Sequence, residues 1–122
     1  MVVTEKGHAV LNHRGRRIRD ISPNMLNEML RFIAGGVRIW CKENRHRQFA
    51  LRDLFGGVNY DWTGTPLQGL YEKYIRNGCS ETDAIARAGK DAGRLLKRVL
   101  VEDTTRTYVV GDAGKATGYT WK

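Results

Sequence analysis

The sequence predicts a mainly α-helical domain that closes on a C-terminal β-hairpin. Three observations predict it. Apolar residues recur at three- and four-residue steps between Leu26 and Val101; Ser, Thr, Pro and Gly signals divide that stretch into helices; and a β-branched tail from Thr104 to Trp121 is broken by a turn. The 122 residues suit one domain, and 41% hydrophobic residues supply a core without disulfides or metal.

Residues 1–21 alternate apolar and polar through His8–Leu11 and again through Arg16–Ile21, with turn-like Asn12-His13-Arg14-Gly15 between them. This fits a short N-terminal hairpin. The crowding of Arg14, Arg16, Arg17 and Arg19 fits a basic arm equally well. The single domain then spans residues 22–122. Ser22 is a cap and Pro23 a first helical residue. Leu26, Met29, Leu30, Ile33, Val37 and Trp40 form one stripe. Gly35 and Gly36 interrupt it at about 1 kcal/mol each, yet the stripe keeps its phase, so the helix continues with a partner packed close. Phe49 to Phe55 reads as an extended step followed by a turn or two of helix, stopped at Gly56-Gly57.

Thr65-Pro66 starts another helix, with Leu67, Leu70, Tyr71, Tyr74 and Ile75 as its stripe and Gly78 at its end. Ser80 caps a short helix, Glu81 to Ala88. Gly89 reads as a tight turn, and a further helix runs from Lys90 to Val101. Residues 104–121 read as the hairpin, turning at Gly111-Asp112-Ala113-Gly114. The stripes predict that Leu26, Leu30, Ile33, Leu70, Ile75, Leu96 and Val99 share one core.

Charge points to a partner. Lys and Arg number 21 against 13 Asp and Glu, for a net charge of +8, and the isoelectric point is about 9.9. A domain this basic attracts polyanions, and nucleic acid is the commonest. At about 100° per residue, Lys90, Arg94, Lys97 and Arg98 share one helix face, while Leu95, Leu96, Val99 and Leu100 centre on the other. One side is free to bury while the other presents four cations to phosphates and base edges. Arg106 and Lys115 add charge from the hairpin.

Helix, turn, helix and hairpin in this order resemble the winged-helix class of DNA-binding domains. The resemblance covers roughly residues 22–121. It rests on the long first helix, the Arg47-Gln48-Phe49-Ala50-Leu51-Arg52-Asp53-Leu54 segment, the Ala92-Gly93-Arg94-Leu95-Leu96-Lys97-Arg98 helix and the terminal hairpin. It implies a recognition helix at 90–101 and a wing at 104–121. Helices 66–77 and 81–88 are a second candidate for the reading pair. The arginines at 14, 16, 17 and 19 suit a minor groove.

The expected function is therefore non-catalytic binding of duplex DNA in a regulatory or accessory role. A protein-interaction module, for instance an inhibitor docked on a nucleic-acid-handling complex, is the rival. RNA binding or packaging is a third reading, and a homodimer is compatible with each. No cofactor is expected. His8, His13, His46, Cys41 and Cys79 lack metal-ligand spacing, and no residue set has the spacing of a nucleophile, a general acid–base pair or a phosphate loop. Two cysteines suit a reducing interior. No apolar run reaches membrane length and no export signal is visible, so a cytoplasmic location is expected. Trp62, in a loop, is the one aromatic expected to be an exposed stacking platform.

Overall fold

The computed structural model describes residues 1–11, 18–56, 61–114 and 116–122. Among them the fold is mixed α/β rather than mainly α. Its elements are β1 (Val2–Val3), β2 (Ala9–Val10), α1 (Pro23–Glu43), α2 (Leu51–Phe55), α3 (Gln68–Arg76), α4 (Glu81–Glu102), β3 (Tyr108–Ala113) and β4 (Ala116–Trp121). The sheet runs β2-β1-β3-β4. β1 is antiparallel to β2 and parallel to β3, and β3 and β4 form the terminal hairpin. A lone antiparallel bridge joins Phe49 to Tyr119 on the free edge of β4.

The N-terminal hairpin exists but sits earlier than the alternation suggested. Its turn is Thr4–His8, closed by the Thr4 N–H donating to the His8 carbonyl at 2.8 Å. Val2 and Val3 are buried against Tyr108 and Val109, so burial on the hairpin decides the register. The alternating Arg16–Ile21 stretch forms no strand at its described end, residues 18–21, and residues 12–17 lie outside the described residues. β3 likewise runs through Ala113, past the expected turn at 111–114, and Gly114 takes the left-handed conformation.

α1 follows its signals. The Ser22 hydroxyl accepts from Met25 N–H at 3.2 Å, and Pro23 opens the helix. Met29, Ile33, Val37 and Cys41 are buried at four-residue steps. The helix passes through Gly35, whose Cβ position meets nothing within 4 Å, and through Gly36, against which the Phe55 ring packs. A Cβ on Gly36 would stand 2.6 Å from Phe55 Cζ, and Phe55 is stacked on Phe32 at 5.0 Å.

α3 ends in a Schellman motif. Gly78 has φ +88°, its N–H donates to Ile75 O, and Cys79 N–H donates to Tyr74 O. Leu67 and Leu70 are buried as expected, but Ile75 is 41% exposed. It lies about 140° around the helix from Leu70, off the buried side. Lys73 is buried in its stead.

The predicted turn at Gly89 does not form. α4 is a single 22-residue helix, so 81–88 and 90–101 are halves of one element and not a helix-turn-helix pair. The cause is the stripe: Ala84, Ala88, Ala92, Leu95 and Leu96 stay in phase across Gly89 and are all buried. A Cβ at Gly89 would meet nothing within 4 Å. Gly89→Ala is therefore expected to stabilise the protein by about 0.5–1 kcal/mol. Gly36→Ala should cost about 1–3 kcal/mol, because the Phe55 ring must shift. Urea unfolding of the two variants checks both signs; a loss at Gly89 would restore the turn.

The core lies between the sheet and helices α1 and α4. Leu96 is buried there, while Leu26, Leu30 and Val99 are half-buried at its margin. Trp62 belongs to this core and is only 5% exposed. Its indole N–H donates to the Phe55 carbonyl at 3.3 Å, so it is not an exposed stacking platform.

Candidate functional site

A groove of about 610 Å³ lies between α4, α2 and the start of β4. Its floor is apolar or small: Leu51, Ile85, Leu96 and Tyr119, with Ala86, Gly89, Gly93 and Ala116. Arg52, Lys90, Arg94 and Lys97 border it, and none of the lining residues is acidic. Helical periodicity brings Lys90, Arg94 and Lys97 to this side, at steps of four and three. Arg52 comes from α2, whose place is set by the Phe49–Tyr119 pairing and by Ala50 N–H donating to Asp53 Oδ2 at 2.8 Å. The Arg52 guanidinium donates to the Ala113 carbonyl at 2.9 Å, which ties α2 to the hairpin end.

The cations differ in how far they are engaged. Arg94 Nη1 stands 3.6 Å from Asp91 Oδ1. That carboxylate already faces Lys73 Nζ at 2.8 Å and accepts from the Tyr74 hydroxyl at 2.7 Å. Lys90, Lys97 and Arg52 have no carboxylate within ion-pair distance among the described residues. A site of one sign with low-dielectric walls concentrates its field on an incoming anion.

Three of the expected site residues thus meet in one place. Arg98, the fourth helix cation, turns toward Glu102, with Nε 3.2 Å from Oε1, and does not line the groove. Arg106 sits at the base of the hairpin, half-buried, with its Nη1 nitrogen buried and its guanidinium 4.5 Å from the Trp121 ring centre. It is not part of a wing tip. Arg19 is exposed on the α3 flank, where its carbonyl accepts from Lys73 Nζ at 2.7 Å, and it does not line the groove. Arg14, Arg16, Arg17 and Lys115 lie outside the described residues. Arg52 was not among the expected residues. Long-range contacts, foremost the pairing of Phe49 with Tyr119, bring it to the hairpin.

Among the described residues no three His, Cys, Asp or Glu side chains cluster to hold a metal ion, and no helix is long and apolar enough to cross a membrane. The Cys41 thiol is buried, and burial pushes its pKa up. No protein-family model, curated protein or solved structure matches this chain. Function is therefore read from the groove itself.

Proposed function

We propose that the protein binds nucleic acid, duplex DNA foremost, through the groove bordered by Arg52, Lys90, Arg94 and Lys97, in a regulatory or accessory role. One observation carries the reading: four cations from two helices border a concave surface with no acid in its lining, in a chain of net charge +8. Such a surface suits phosphate contacts from Lys and bidentate contacts from Arg. The layout lends support. α3 and α4 are joined by residues 77–80, the hairpin follows, and a strand residue after α1 pairs with its second strand. In a winged-helix reading α4 is the recognition helix, its partner is α3, and the groove lies between recognition helix and wing.

The test is duplex binding against salt for the wild type and two variants. One replaces Arg52, Lys90, Arg94 and Lys97 by Ala; the other replaces Arg14, Arg16, Arg17 and Arg19. Counterion release makes log K fall with log salt by about 0.9 per phosphate contact. The groove variant is expected to lose about 2–4 from that slope, and Lys97→Ala alone about 1. If the groove variant binds like wild type while the arm variant fails, the assignment to α4 is wrong. Single-stranded DNA and RNA run beside the duplex separate the nucleic-acid classes.

A second reading has its own support. Gly89 and Gly93 leave open space where a Cβ would go, and the floor between the cations is apolar, which suits an acidic amphipathic helix. Tight binding to a protein with a shallow salt slope, and none to duplex, would favour that docking role.

A further inference from the structure

A second cationic cluster lies at the opposite end of β4 from the groove. The segment after α1 runs antiparallel to β4 through the Phe49–Tyr119 pairing. Arg52 is thus near the Ala113–Ala116 end, and Arg45, His46 and Arg47 are near Trp121. The Arg45 guanidinium lies 4.3 Å from the Trp121 ring centre, and Arg106 lies 4.5 Å from the same ring. Arg47 lies 6.0 Å from the Trp40 ring. His46, with φ +68°, turns the chain, and its Nδ1 is 3.2 Å from the Trp121 carbonyl oxygen.

These ring contacts restrain the guanidiniums. A guanidinium held over an aromatic ring loses freedom, yet its in-plane N–H groups stay available, in the fork that matches a phosphate. Arg106 is the inner member, since one of its nitrogens is buried. Arg45 and Arg47 are the outer members and exposed. Neither has a carboxylate within ion-pair distance among the described residues. Two guanidiniums already stand against the Trp121 ring, so the cluster suits phosphates better than stacked bases.

We propose that Arg45 and Arg47 form a second phosphate-binding site for the nucleic acid held in the groove, with Arg106 and Trp121 as positioning residues. This rests on the groove reading. The six residues of β4 span about 17 Å at about 3.3 Å per residue, half of the roughly 34 Å helical turn of a duplex. One duplex lying along this edge can present phosphates of its two strands to both sites.

The test is a salt titration with a duplex of about 20 base pairs, long enough to reach both sites at 3.4 Å per step. The Arg45→Ala, Arg47→Ala double variant is expected to lower the slope by about 2. The double lysine variant keeps the charge and loses the fork, so it is expected to keep the slope and bind more weakly. Thermal unfolding of each variant shows that the fold survives. Should the alanine pair disturb the fold, the lysine pair decides, and wild-type affinity there refutes the fork. A wild-type slope in the alanine pair, beside a reduced slope in the groove variant, overturns the second site and leaves the groove reading standing. Absence of duplex binding by the wild type overturns both.

Discussion

Asp91→Ala is expected to destabilise the protein by about 3–5 kcal/mol, because it leaves a buried ammonium without its counter-charge. Lys73 and Asp91 are 2% and 3% exposed, and their charged atoms are 2.8 Å apart. The carboxylate also accepts from the Tyr74 hydroxyl. With it gone, Lys73 Nζ keeps the neutral Arg19 carbonyl and the Tyr74 ring, 4.6 Å away, and neither carries a full counter-charge. Neither charge stabilises by itself, since taking each out of water costs several kcal/mol. What the pair supplies is a definite seat for α3 on α4, one residue from Lys90. Replacing both partners with apolar residues, Lys73→Met with Asp91→Leu, should recover most of the loss. Urea unfolding of the two single variants and the double variant measures the coupling. A cost below about 1 kcal/mol for Asp91→Ala would mean that the pair is solvated, in the manner of a surface ion pair.

The same cluster sets an alkaline limit. Burial, then the hydrogen bond to Asp91 and its charge, push the Tyr74 hydroxyl up from 10 to about 12. The folded chain holds this proton more tightly than the unfolded one. The contribution is therefore complete below pH 10 and fades as pH rises toward 12. Tyr74→Phe should flatten this part of the alkaline stability loss relative to wild type.

Two glycines show what local sequence revealed and what it did not. Gly78 and Gly89 both follow helical stripes, and both carry the same stop signal. Gly78 is a true stop, with positive φ and two Schellman hydrogen bonds. Gly89 remains helical, because the alanine stripe on either side keeps one phase. The phase was in the sequence, and it outweighs a cost of about 1 kcal/mol. The same phase argument, applied to Gly35 and Gly36, carried the helix as far as Trp40, and α1 runs on to Glu43, into the stretch expected to be a connection.

The candidate site divides the same way. Periodicity alone put Lys90, Arg94 and Lys97 on one face. The diversion of Arg98 was legible too, since Glu102 stands four residues on. Arg52, Trp62 and Lys73 were not legible. Each depends on a contact distant in sequence: the Phe49 bridge to β4, the packing of a loop indole into the core, and the meeting of α3 with α4. Polar and aromatic residues of this kind are placed by tertiary partners and not by period.

Phe49→Ala is expected to cost about 3–5 kcal/mol and to weaken the groove as well. Phe49 is fully buried. Its ring centre lies 6.1 Å from those of Trp40 and Tyr119 and 6.3 Å from that of Tyr108, which joins α1 to both strands of the hairpin. Its backbone exchanges two hydrogen bonds with Tyr119, at 2.8 and 2.7 Å. The side chain holds the core and the main chain holds the register of α2 beside β4. Truncation to Ala opens a cavity among three rings, and stiff aromatic neighbours close it poorly. Phe49→Leu keeps most of the volume and should cost clearly less. Amide hydrogen exchange at Phe49 and Tyr119 separates the two roles. If exchange at both amides accelerates more than global unfolding explains, the register has loosened, and Arg52 loses its seat at the hairpin end. If both amides keep their protection relative to global stability, the ring acts through the core alone, and the groove should bind as before.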